Sequence, residues 1–88
     1  MSTLSLSLSA LRNMGHQDRY AEIGASLPRD AAAAMFNVIT RYPWRTSTAV
    51  DVRDYAWGEA ARIRARNPDE LHKALADGFC VLADRVED

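Results

Sequence analysis

Three prolines, Pro28, Pro43 and Pro68, set the segmentation of this chain. Proline has a fixed φ and no backbone N–H, so it sits well at a helix start and ends a helix that reaches it. Pro68 lies in the strongest local signal. Asn67-Pro68-Asp69-Glu70 reads as an N-cap Asn, a proline at the first helical position and a Glu three residues after the cap that returns a hydrogen bond to it. The helix opened there places Leu71, Leu75, Gly78, Phe79, Leu82 and Val86 at three- and four-residue spacings, which makes one apolar face. Pro28 fits the first turn of another helix, with Asp30 near its positive end. That helix runs from Asp30 to Tyr42 with Met35, Phe36, Val38 and Ile39 as its apolar stripe. Pro43 stops it, because the residue before a proline is pushed out of the α region.

Between Pro43 and Pro68, Tyr42-Pro43-Trp44-Arg45 forms a connector, Thr46, Ser47 and Thr48 are candidate caps, and a helix is expected over about Thr48 to Arg66. Its inward row is Val52, Ala56, Ala60 and Ile63, flanked by Tyr55 and Ala49, and Trp57 points away from that row. Gly58 inside a helix costs about 1 kcal/mol against Ala, so a neighbouring helix is expected to approach closely there.

Ahead of Pro28, Met14-Gly15-His16 reads as a break. Gln17 to Ala25 reads as a short helix with Tyr20, Ile23 and Leu27 inward. The first residues are ambiguous. Leu4, Leu6 and Leu8 alternate with Ser5, Ser7 and Ser9 as in a strand, while Leu4, Leu8 and Leu11 fit one face of a helix capped by Ser2 or Thr3. The helix is preferred, because a strand would have to pair with Thr48–Val52 or with a second chain. The expected fold is all-α: a compact single-domain bundle of four to five short helices over residues 1–88, with an extended N-terminal segment as the alternative.

Eighty-eight residues bury one core, which excludes most enzyme scaffolds, and 48 % apolar with 26 % charged residues marks a chain that folds. The net charge of -1 hides an asymmetry. From Arg41 to Arg66 six arginines face three acids, 6 − 3 = +3, and from Asn67 to Asp88 two bases face six acids, 2 − 6 = −4. A lone cysteine, Cys80, a start without basic and long apolar regions, and Ser2 in place of a myristoylatable Gly lead to the expectation of a cytoplasmic protein with no membrane contact.

No reaction motif is present. Cys80 lies eight residues beyond His72 on one helix, about 12 Å along its axis, too far for a Cys–His pair within that helix, and reads as a buried structural thiol. Asp69 and His72 share a helix face but are too few to hold zinc, and Asp69 is expected at the helix N-terminus, paired with Lys73. There is no CxxC, HExxH, GxGxxG or P-loop, so no catalytic residue, metal or cofactor is assigned.

The expected role is therefore non-enzymatic protein binding, as an inhibitor or adaptor of a larger macromolecular machine, in the manner of a phage or mobile-element anti-defence inhibitor or an antitoxin. Tyr42, Trp44 and Arg45 combine interface-favoured residue types, with Trp57 extending the surface if exposed, and Asp77 and Asp84 offering an acidic face. The competing reading folds Tyr42 and Trp44 back onto the core. A homodimer burying the Leu-rich N-terminal segment is a further expectation. The alternative function is a nucleic-acid-binding regulator, with Arg62 and Arg66 stacked at i, i+4 and Arg41, Arg45 and Arg64 nearby as phosphate contacts.

Overall fold

The computed structural model describes residues 5–24, 27–67 and 69–87. The elements in chain order are β1 (Leu6–Ser7), α1 (Leu8–Asn13), α2 (His16–Gly24), α3 (Arg29–Arg41), α4 (Ala49–Arg66), α5 (Glu70–Arg85) and β2 (Val86–Glu87). The architecture is all-α, with α4 and α5 as the longest elements and only a two-residue strand at each end of the described chain.

The helix ends follow from local chemistry. Thr48 caps α4: its side chain accepts from the Asp51 N–H, and the Asp51 carboxylate accepts from the Thr48 N–H, which completes a capping box. At α5 the expected Asn67 cap is not used. Asn67 ends α4, its N–H donating to the Ile63 carbonyl, and the capping residue is Asp69, whose carboxylate accepts from the His72 N–H at 3.0 Å. Asp69 supplies both an acceptor and a negative charge at the positive end of α5, and so does the work assigned to Asn67. Glu70 then stands 3.7 Å from Lys73, so it does not turn back to a cap, and Asp69 pairs with His72 in place of Lys73. Pro68 lies outside the described residues, as do Leu4, the Ser2 and Thr3 caps and Ala25.

α3 stops before Pro43 as expected. The Tyr42 N–H completes the last regular bond, to the Val38 carbonyl. The next acceptor, Ile39, would take the N–H of residue 43, but Pro43 has none. Trp44 supplies the missing donor: its indole N–H reaches the Ile39 carbonyl at 2.8 Å, and the ring is only 4 % exposed. Tyr42 lies edge-on to that ring, with centroids 4.8 Å apart, and next to Tyr55, which in turn meets Phe79. The connector is thus folded onto the core by its own aromatic residues.

The N-terminal segment takes neither of the two expected forms alone. Leu6 and Ser7 are extended and pair in parallel with Val86 and Glu87, and Ser7 then caps α1, accepting from the Ala10 N–H. Neither Thr48–Val52 nor a second chain is needed as a partner. The alternation and the helical spacing are both real, each over its own residues: Leu6, Leu8 and Leu11 are all buried in the chain's own core. That leaves none of these three leucines for the homodimer expected at this segment.

One hydrophobic cluster joins α1 to α5 and both strands. Val52, Ala56, Ala60 and Ile63 face Leu75, Ala76, Phe79, Leu82 and Ala83 across the α4–α5 pair. The Cα radius of gyration, 12.1 Å, matches the ~12 Å expected of a compact chain of this length. Close approach occurs at Gly78, where an added Cβ would lie 2.8 Å from Leu27 Cδ1 and 3.1 Å from Met35 Cε. Gly58 has nothing within 4 Å of that position, contrary to expectation, and Leu71 is exposed although it continues the apolar spacing of α5.

Two outcomes are expected. Trp44→Phe, which leaves the Ile39 carbonyl without a donor, lowers stability by about 1–3 kcal/mol in urea denaturation. Adding Pro43→Ala, which restores a backbone N–H, makes the Trp44→Phe loss smaller; equal losses with Pro or Ala at position 43 would refute the substitution of donors. The Asp69 carboxyl is held below its ordinary 3.8, first by the His72 N–H and then by the His72 side chain. Its contribution is therefore present above that value and lost as the pH falls through the lower folded value. Asp69→Asn keeps a capping acceptor without a titrating charge, so its acid-limb stability curve should be shallower than that of the parent.

Candidate functional site

With the connector folded inward, the residues expected to meet a partner divide into two groups. Trp44 is core. Tyr42 is half-buried within the aromatic chain that runs to Phe79, and only Arg45 of the three connector residues is exposed. Trp57 is the opposite case: it lies in the middle of α4 and is 43 % exposed.

Trp57 belongs to a continuous face. Val50 is two helical turns before it and 55 % exposed, and Gly58, Ala61 and Ala65 are exposed on the same outer side. Asp54, one turn before Trp57, and the exposed Arg64, two turns after it, are charges along this stripe. The inward row Ala49, Val52, Ala56, Ala60 and Ile63 covers the other side, so α4 carries apolar residues on both. Solvent-facing helix surfaces are ordinarily charged. Because side chains at Gly58, Ala61 and Ala65 are short or absent, backbone on this face is accessible around a single large ring.

The flank of this face nearest α5 is polar and ordered. Arg64 donates to the Asp77 carboxylate at 2.7 Å, and Arg53 donates to the Val86 carbonyl at 3.1 Å. The hydrogen bond that Arg64 donates to Asp77 holds its guanidinium above its ordinary pKa. These contacts join the +3 and −4 segments. α4 and α5 pack antiparallel, and Arg64 and Asp77 bring a charge of each segment together there. Asp77 is engaged by Arg64, while Asp84 is exposed one and two turns on from Val81 and Asp77.

The arginines of the nucleic-acid reading are divided in the same way. Arg62 is ion-paired with Glu59 and Arg64 with Asp77. Arg41 and Arg62 line one shallow groove and Arg62 and Arg66 another, but Glu59 stands in both. Arg45 lies apart, across the connector, beside Arg12 and Arg19.

Among the described residues no group of three or more His, Cys, Asp or Glu side chains stands close enough to hold a metal ion. Asp69 and His72 do meet, at 2.8 Å, but as a cap pair. Cys80 is half-buried, less enclosed than its apolar neighbours suggested. No helix among the described residues is long and apolar enough to cross a membrane.

The outer stripe was partly legible in the residues, since Trp57 falls off the inward row. What was missed is that Val50, Gly58, Ala61 and Ala65 join it, because alanine and glycine read equally as core and as solvent-facing positions. The chain matches no protein-family model, no curated protein and no solved structure. The face is therefore read from its own chemistry.

If the outer stripe packs against nothing within the chain, Val50→Glu and Trp57→Glu should each change stability by no more than about 0.5 kcal/mol. Ala60→Glu, one turn from Trp57 but inward, should abolish cooperative unfolding. A large loss from either outer substitution would place that residue in the core.

Proposed function

We propose that the protein acts by binding another protein, with the outer face of α4 receiving an apolar helix of the partner. The observation that carries this reading is Trp57, exposed at the centre of a stripe whose other members are Val50, Gly58, Ala61 and Ala65. Tryptophan is the residue type most enriched where interface energy concentrates, and it acts best when ringed by near-neutral contacts that exclude water. Glycine and alanine beside it let a second helix come within about 8–10 Å axis to axis. An apolar face of this kind costs solubility when left open, which favours a partner that covers it.

Arg53, Arg64, Asp77 and Asp84 form the polar rim on the α5 side, where charge tunes orientation and association rate more than affinity. Arg62 and Arg66 border the face along the opposite side of α4. An inhibitor or adaptor that occupies a surface on a larger assembly needs such a face and no active site. A reducing compartment, where Cys80 stays a free thiol, suits the same role.

A photo-crosslinking side chain placed at position 57, in cells that express the protein, should yield one discrete adduct, and the same side chain at the exposed Arg29 on α3 should yield none. An adduct of twice the protein's own mass would identify the partner as a second copy. No adduct from position 57, or identical adducts from both positions, would refute the proposal.

A further inference from the structure

The connector that carries Trp44 also forms one wall of an open cleft of about 610 Å³, whose opposite wall is the junction between α1 and α2. Arg12, Arg19, Arg45 and His16 line this cleft, together with Tyr42 and Thr46, and no Asp or Glu is among its lining residues. Three arginines thus line one cleft with no carboxylate beside them.

Two of them are held in place by carbonyl oxygens. Arg19, only 7 % exposed, donates from Nε to the Leu11 carbonyl and from Nη2 to the Arg12 carbonyl, and its guanidinium carbon lies 5.6 Å from the centre of the Trp44 ring. Arg12 donates from Nε to the Trp44 carbonyl and from Nη2 to the Ser47 carbonyl. These bonds fix both groups and leave their charges uncancelled, because a carbonyl is a dipole and not a counter-ion. Arg45 is exposed and, among the described residues, has no ion pair. Burial, and after it the charge of Arg45, lower the pKa of Arg19.

α2 begins at His16 after Gly15, both of which line the cleft, and Asp18 stands in its first turn. The negative end of α1 is already covered by Arg19.

We infer that this cleft binds a small phosphate-bearing molecule, with the exposed Arg45 donating to the phosphoryl oxygens and Arg12 and Arg19 as fixed positive charges in the cleft wall. A phosphate monoester carries a charge of about −1.5 to −2, which suits a cleft wall of three positive charges better than a single carboxylate does. The cleft volume falls in the roughly 300–1,000 Å³ range of small-molecule sites. A nucleic-acid strand would instead need a cationic track continuing past the cleft, and the next arginines along the surface, Arg41 and Arg62, share their groove with Glu59.

The chain has two tryptophans, so Trp57→Phe, outside the cleft, leaves Trp44 as the only indole reporter. Titrated with sodium pyrophosphate at constant ionic strength, this variant should show a saturable change in Trp44 fluorescence with a dissociation constant of about 1 mM or tighter. Acetate should give no such change. Adding Arg45→Ala, which removes a side chain that the fold does not use, should weaken binding at least about tenfold with unchanged thermal unfolding. Absence of saturation, an equal response to acetate, or unaltered affinity in Arg45→Ala would overturn the site. Tighter, Arg45-dependent binding of a single-stranded oligonucleotide than of pyrophosphate would overturn the small-molecule assignment.

Discussion

The indole N–H of Trp44 donates to the Ile39 carbonyl, which Pro43 leaves without its helical partner, and much of the molecule is arranged around that bond. It turns the connector inward immediately after α3, so that the Trp44 ring is buried and its carbonyl is presented to Arg12. Arg12 thereby ties α1 to the connector, Arg19 ties α2 to the end of α1 while lying against the Trp44 ring, and Tyr42 continues the contact to Tyr55 and Phe79. A proline that ends a helix usually exposes a carbonyl to water. Here the side chain of the next residue satisfies it and becomes part of the core.

That arrangement determines what is left for function. A proline-stiffened Tyr-Pro-Trp-Arg segment has the composition of a binding loop, but a buried Trp44 cannot meet a partner. The other tryptophan can. Trp57 and its small neighbours form the apolar outer side of α4, while the inward side of the same helix packs on α5, so one helix serves both the core and the surface. The same turn that buries Trp44 brings Arg45 next to Arg12 and Arg19, and so gathers three positive charges into the cleft.

The helical segments and the buried row Val52, Ala56, Ala60 and Ile63 were readable because proline position and side-chain periodicity are local properties. Four features were not. The partner of Leu6 and Ser7 lies at the far end of the chain, at Val86 and Glu87, a pairing that local pattern does not specify. Asn67 and Asp69 are both good caps, and the choice between them depends on where the α4–α5 turn places the first helical N–H groups. Gly58 and Gly78 both lie inside helices, yet of the two only Gly78 meets a neighbour, because contact depends on what lies opposite. The cleft was invisible for the same reason: Arg12, Arg19 and Arg45 come from three elements and share no motif.

The division of labour between the two tryptophans can be measured directly by acrylamide quenching of single-tryptophan variants. With Trp44 alone, in Trp57→Phe, quenching should be close to that of a buried indole. With Trp57 alone, in Trp44→Phe under conditions where that variant remains folded, it should approach that of an exposed one. Equal quenching of the two, or a shielded Trp57 in the isolated protein, would contradict both the inward connector and the open face of α4.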